Sequence, residues 1–436
     1  MTHPYKSQVH RTAAVAACAA LLLTLTSAVG SAQAQGRDTG RETLPVGDGW
    51  GSAGAGTTGG ARADAAHVFT VTTWDEFRAA LKKGGDAPKI IKVSGTLNPA
   101  AAGCAAFAAP GYDFARYLAA YDPAVWGHDR PVSGAQEDLR AASGARQKPA
   151  IEANVPSNTT IVGVGANAGI VGGSLQIKGV DNVIVRNLTL ESPLDCFPQW
   201  DPTDDNKTGA WNSEYDSAVV YGSTHVWVDH DTFTDGAHPD STLPSYFGKI
   251  YERHDGELDI VKGADRVTVS WNAFKEHDKT LMIGNSDGAA ASDAGRLKVT
   301  LHHNVFAGIV ERAPRVRFGQ VDAYNNLYTV TGSQKYQYAF GIGYQSQLVA
   351  EKNALTLPQG VSPASVLKKW SDAPLTAKGN YVNGRPVDLI AVHNAELPGE
   401  ALRSGAGWTP TLRTAVDDPR SVPGVVGKGA GAGKVG

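Results

Sequence analysis

Residues 266–274 read Arg-Val-Thr-Val-Ser-Trp-Asn-Ala-Phe, and the same nine-residue phrase returns along the chain. Residues 182–190 (Asn-Val-Ile-Val-Arg-Asn-Leu-Thr-Leu), 225–233 (His-Val-Trp-Val-Asp-His-Asp-Thr-Phe), 298–306 (Lys-Val-Thr-Leu-His-His-Asn-Val-Phe) and 320–328 (Gln-Val-Asp-Ala-Tyr-Asn-Asn-Leu-Tyr) carry it, and 347–355 is a weaker copy. Each is a period-2 apolar strand that ends in Asn or Asp and then resumes with an apolar residue. One supersecondary unit is therefore repeated. The helical signal between copies is poor, which argues against alternating strands and helices. The pattern predicts an all-β fold, a right-handed, single-stranded parallel β-helix with one coil per repeat and long loops on one side. Asn187, Asp231, Asn272, Asn304, Asn326 and Asn353 would stack at one corner as a ladder. An antiparallel sandwich is the rival, but it gives no reason for the same polar residue after each strand.

Upstream, the chain predicts a strand over 67–71, a helix over 74–83 opened by a Thr73/Glu76 capping box, and a strand over 89–93. The helix would cap the first coil. Residues 1–34 read as a signal peptide: Lys6 and Arg11 precede an apolar stretch, and Ala32-Gln33-Ala34 supplies a small-residue cleavage pattern. Secretion follows, with no membrane span after cleavage. Residues 35–48 read as a linker, 49–424 as the β-helix domain, and 425–436 as a disordered Gly-rich tail. The segment 103–147 reads as a long loop shaping one end of a groove. Cys18 leaves with the signal; Cys104 and Cys196 remain in an oxidising compartment, where a bridge between them would tie two loops together.

The 436 residues carry a formal net charge of −3, with 19% charged residues and no long Lys/Arg run. Bulk electrostatic binding to nucleic acid is thereby excluded. The cationic residues that matter are local. Residues 312–317 are Arg-Ala-Pro-Arg-Val-Arg, and Lys279 lies upstream in His-Asp-Lys-Thr. Clustered guanidinium groups suit carboxylates. The longest insertions between repeats carry Asp216, Asp255 and Asp259. On neighbouring coils these carboxylates can meet, either as ligands of a hard cation such as Ca²⁺ or as a solvated acidic turn. His277, His302 and His303 lack zinc-ligand spacing and read as structural. The glycines of 163–169 do not form a phosphate-loop pattern and read as turn glycines.

Phe-Pro-Gln-Trp-Asp-Pro (197–202), Val-Trp-Val-Asp-His-Asp (226–231), His-Asp-Gly-Glu-Leu-Asp-Ile (254–260), His-Asp-Lys (277–279) and Arg-Ala-Pro-Arg-Val-Arg-Phe-Gly-Gln (312–320) occur in one order. Together they closely resemble the secreted pectate lyases of polysaccharide lyase family 1, over roughly residues 45–400. The resemblance implies a parallel β-helix and Ca²⁺-dependent β-elimination of polygalacturonate by a monomeric enzyme. It implies Asp216, Asp255 and Asp259 as calcium ligands, Arg312 as catalytic base, and Lys279 and Arg317 as binders of substrate carboxylate. Asp204 or Asp205 would serve an additional substrate-linked calcium. Three other readings compete. A polygalacturonase needs an acid and a base carboxylate. A pectin lyase acts on neutral esters and needs no cation bridge. A polysaccharide-binding β-helix would give no product.

Overall fold

Each repeat phrase becomes two short strands joined by a sharp corner. In the computed structural model, which describes residues 38–331 and 335–435, Asp265–Ser270 and Ala273–Lys275 are such a pair. Strands of successive coils pair in parallel and in register, so Val226, Val267, Val299, Val321, Leu348 and Leu375 form one inward row. All six are fully buried. Alternation along each strand sends the intervening residues outward. Past the corner, Phe233, Phe274, Phe306 and Tyr328 stack face to face, with centroids 4.8 to 4.9 Å apart. A further sheet of eight parallel strands, from Glu152–Asn154 to Leu367–Lys369, forms another wall of the coils. The fold is a parallel β-helix.

The corner carries the expected ladder, displaced by one residue at its start. Asn272, Asn304, Asn326, Asn353 and Asn380 are all buried, and each Nδ2 donates to the Oδ1 of the next, at 2.9 to 3.1 Å. Each of those Oδ1 atoms also accepts the backbone N–H of the preceding rung. Asp231 heads the row, its N–H donating to Asn272 Oδ1. Register places Leu188, not Asn187, beside Asp231. Asn187 instead shares its place with His230, Trp271, His303, Asn325 and Lys352, all with φ between 51° and 60°. The corner has two successive special positions, a left-handed residue and then a ladder residue. Asparagine suits the first as well as the second, and this is why the two are confused in sequence.

The chain ends differ from expectation. The capping box on Thr73 and Glu76 is formed, and the helix runs Trp74–Lys82. Residues 38–48, expected as a linker, lie on the coils: Leu44 is buried against Ile184 and Trp227. The C-terminal stretch is not a loose tail. Val422–Gly429 is a helix whose Val422 and Val426 are buried against Leu327 and Ala354, and Gly433 N donates to Asn187 Oδ1 at 2.7 Å. Burial of these apolar side chains opposes the entropy cost that glycine adds. The signal-peptide reading of 1–34 lies outside the described residues. No helix among the described residues is long and apolar enough to cross a membrane.

The segment 103–147 is largely helical rather than looped. Phe114–Tyr121, Pro123–Trp126 and Ala135–Ile151 are helices. The last one hides its nature because the face it buries is polar: Glu137, Arg140, Ser143 and Gln147 point inward, and Gly144 and Pro149 interrupt the composition. Arg140 pairs with Glu137 at 2.8 Å, and Tyr117 donates to the same carboxylate. These helices pack on an aromatic cluster of Tyr117, Tyr121, Trp200, Trp211 and Tyr251. Cys104 and Cys196 are joined by a disulfide and tie this region to the loops of the β-helix. The glycines of 163–169 lie within the strand Thr159–Val171, where a Cβ on Gly163 would meet the Asn187 carbonyl at 2.0 Å. Gly163 and Gly169 permit close approach between coils, whereas Gly165 holds a left-handed backbone at φ 84° in open space.

Candidate active site

The outer face of the eight-stranded sheet is the floor of the site. Ile260, Ile283, Val316 and Ile342 align in register and are fully buried. The residues before them, Asp259, Met282, Arg315 and Gly341, therefore point outward. Arg317, two beyond Arg315, shares that outward face. The loops that precede these strands bring in Asp216, Asp255, Lys279 and Arg312.

Asp216 and Asp259 face each other across Gly256. Gly256 N donates to Asp216 Oδ1 at 2.8 Å, and Met282 N donates to Asp259 Oδ1 at 3.1 Å. A Cβ placed on Gly256 would lie 2.8 Å from an oxygen of each aspartate. The glycine leaves a cradle lined by carboxylate oxygen, which any side chain would fill. Burial, then Asp259 and Asp255, pushes the Asp216 carboxyl well above the usual range. Burial and Asp255 push Asp259 up to about 7, against the opposing pull of Arg312. Carboxylates crowded this way await a counter-ion, and hard oxygen donors around a small gap fit Ca²⁺.

The cationic residues stand on the same face, each already committed to an acid. Lys279 Nζ lies 2.9 Å from Glu252 and 4.0 Å from Asp255. Burial would lower its pKa, but Glu252 and Asp255 outweigh burial and hold it above the usual lysine range. Arg312, at φ 61° before a cis Ala313–Pro314 bond, places Nε 2.8 Å from Glu311. Burial again acts downward, yet Glu311 and Asp259 hold Arg312 above its ordinary value. Arg317 Nε binds Asp287 at 2.7 Å, and its Nη1 donates to the Gly284 carbonyl at 2.9 Å.

The acid partners Glu252 and Asp287 are absent from the sequence reading. Glu311 is visible there as the acid next to Arg312. Asp205 is exposed and bonded to Lys249 at 2.7 Å, on the rim of a cavity also lined by Asp240, Glu252 and Asp278. His277 is buried, with Nδ1 2.6 Å from Asp235 Oδ1 and Nε2 2.6 Å from the Asp255 carbonyl. Both ring nitrogens are spent on holding the loop that carries Asp255, as a structural histidine would do. His302 and His303 lie at the opposite corner, bonded Nδ1 to Nδ1 at 2.9 Å and stacked on Tyr324 and Trp271. Among the described residues, the tightest acidic groups are Asp235–Asp240–His277 and Asp240–Glu252–Asp278, with donor atoms within 4.8 Å of one another. Asp216, Asp255 and Asp259 do not close to that spacing as a set.

Comparison with known proteins bears on this geometry. A family model described as "Pectate lyase" matches residues 12–110 and 132–395. A pectate lyase of Bacillus subtilis (strain 168) is 44% identical over 427 residues, covering 95% of this chain and 98% of that protein. Pectate lyase D of Dickeya chrysanthemi is 39% identical over 355 residues, or 79% and 80% of the two chains. Among solved structures, a thermostable pectate lyase superposes with a TM-score of 0.88 at 42% identity, covering 92% of this chain and all of that one. A pectate lyase bound to a hexasaccharide superposes with a TM-score of 0.86 at the same identity and coverage.

Proposed function

The chain belongs to the pectate lyase family, and from that premise we propose that it cleaves α-1,4-linked polygalacturonate by Ca²⁺-dependent β-elimination, giving 4,5-unsaturated oligogalacturonates. The observation that carries this reading is the Gly256 cradle between Asp216 and Asp259, set on one outward face with Arg312, Arg317 and Lys279. Asp216, Asp255 and Asp259 would hold Ca²⁺. When bound, the cation supplies a Lewis acid that links the protein to a galacturonate carboxylate and stabilises charge building there.

The residues of the chain supply the rest. Lys279 and Arg317 bind the same carboxylate, which sharpens the acidity of the adjacent C5 proton. Arg312 takes that proton at a guanidine nitrogen, the electron pair forms the C4–C5 double bond, and the C4–oxygen bond breaks, the departing oxygen taking a proton from water. An arginine base needs its field reversed, because Glu311 and Asp259 hold Arg312 protonated in the absence of ligand. Asp259 and Asp255 would lose that hold once their charge is spent on a cation, leaving Glu311 to be outweighed by Lys279, Arg317 and the cation's own charge. Arg312 must be neutral to accept the proton, so activity should favour alkaline solution.

A hydrolase needs a protonated acid opposite a base carboxylate across the scissile bond. Here the acids group around a cradle and the opposing groups are cationic. A neutral methyl ester would offer no carboxylate to Lys279, Arg317 or a cation held by the aspartate trio, which favours de-esterified polymer. The signal over 1–34 supports export, with a monomer as the working form. The test is a product assay on polygalacturonate and on highly methylated pectin. Ultraviolet-absorbing product from the first and little from the second is expected. New reducing ends without that absorbance would assign a hydrolase instead.

A further inference from the structure

Arg315 is the member of the arginine run that the chemistry above does not use. Arg312 and Arg317 each pair with a carboxylate, Glu311 and Asp287. Among the described residues no carboxylate forms an ion pair with Arg315, and its Nε is buried without a hydrogen-bond partner. Its guanidinium crosses the next coil and lies 4.1 Å from the ring centroid of Trp370. Gly341 makes this crossing possible: a Cβ there would stand 3.1 Å from Arg315 Cγ and 2.9 Å from the Tyr338 ring.

Register carries the pattern outward along the floor. Arg315, Gly341 and Lys368 are cross-strand neighbours on three successive coils. Arg317, Gly343 and Trp370 follow the same path two residues on, with Gly343 N bonded to the Val316 carbonyl and Trp370 N to the Ile342 carbonyl. The middle coil thus presents two buried glycines: Gly341 lies beneath Arg315 and the Tyr338 ring, and Gly343 lies beside Arg317. Beyond them stands Trp370, 46% exposed, with Lys368 Nζ 5.8 Å from its ring. Lys368 also reaches Glu400 at 3.3 Å, but both groups are well exposed, so the pair is easily exchanged. Burial and the like charges of Arg317 and Arg312 press on Arg315, and an anion beside Trp370 would relieve them.

We propose that Arg315, Lys368 and Trp370 form a further subsite for galacturonate units, extending two coils beyond Arg312 and Arg317, with Gly341 letting the Arg315 side chain lie across to Trp370. The proposal rests on the pectate lyase reading. Two coils span about 10 Å, so the subsite is reached by oligomers longer than those needed to fill the catalytic centre. Trp370 holds the Arg315 guanidinium in place and offers an apolar edge to a sugar ring, while Arg315 and Lys368 take carboxylates.

The test compares trigalacturonate with octagalacturonate in the wild-type protein, W370A, and the K368A/W370A double variant. Loss of contacts to a charged group should raise KM for octagalacturonate by about tenfold. The value for trigalacturonate and kcat should both stay within about twofold. W370F should recover part of the octamer affinity, which a merely structural role would not produce. Equal shifts for both lengths, or no shift for the octamer with melting temperature unchanged, would overturn the subsite. Direct binding of the two oligomers, followed by tryptophan fluorescence, decides the question separately from turnover. A wild-type protein that makes no unsaturated product would sink the lyase reading. A length-dependent affinity that W370A abolishes would still uphold the subsite.

Discussion

The asparagine corner and the acidic floor occupy the same coils and follow opposite rules. At the corner, five asparagines repeat one geometry, and their buried amides find partners along the row. On the floor no coil repeats its neighbour. Asp259, Met282, Arg315, Gly341 and Lys368 stand in one row, and the carboxyls of Asp216 and Asp259 are pushed up by burial and mutual repulsion. The contrast teaches that this fold stabilises itself through repetition and does its chemistry where repetition fails. Polar groups that satisfy one another hold coils together; polar groups that do not are held ready for a ligand.

Three perturbations set the regions against each other. The largest effect should come from removing calcium. Chelation is expected to reduce the rate on polygalacturonate to background, while the far-ultraviolet circular dichroism stays that of the folded β-helix, because the corner needs no metal. Loss of the β signal together with activity would show that the two regions are not separable. Next is Asn304→Ala, which leaves the Asn272 N–H and the Val269 carbonyl without their buried partner. It should cost about 3 kcal/mol of stability, read by denaturant unfolding, with kcat per folded molecule unchanged. The third, smallest at neutral pH and below because it acts only as pH rises, is Asp240→Asn. Burial pushes the Asp240 carboxyl up to about 8 from 3.8. The folded state therefore holds a proton that the unfolded state releases, and stability falls as pH rises between those values. The variant should lack this slope and melt above the wild-type protein at pH 8 but not at pH 4. Parallel melting curves would contradict the assignment.

The same contrast explains what could be read before the structure. Repetition is visible in sequence, so the strands, the inward rows and the ladder from Asp231 to Asn353 were legible. The last rung, Asn380, was not, because Gly379 fills the left-handed position and the following phrase, Tyr381–Val382, is short. The slip at Asn187 has the same origin, since one residue type fits two adjacent places. Asp216, Asp255, Asp259, Lys279, Arg312 and Arg317 were singled out because their motifs resemble a known family, and the fold sets them around one face. Their partners were not. Glu252 lies 27 residues before Lys279 and Asp287 lies 30 before Arg317, in loops whose path no local pattern encodes. The helix Ala135–Ile151 escaped because it buries polar residues, and the C-terminal helix escaped because glycine dominates it.

The central claim is a division of labour, in which Lys279 and Arg317 hold the substrate carboxylate while Arg312 moves the proton. It is tested most directly by Arg312→Ala, measured for both binding and product formation with polygalacturonate and Ca²⁺. Binding should stay near that of the wild-type protein, and unsaturated product should fall by about a thousandfold, as expected for loss of a proton-transfer group. A variant that binds as well and keeps most of its rate would contradict the account and assign the base to another residue.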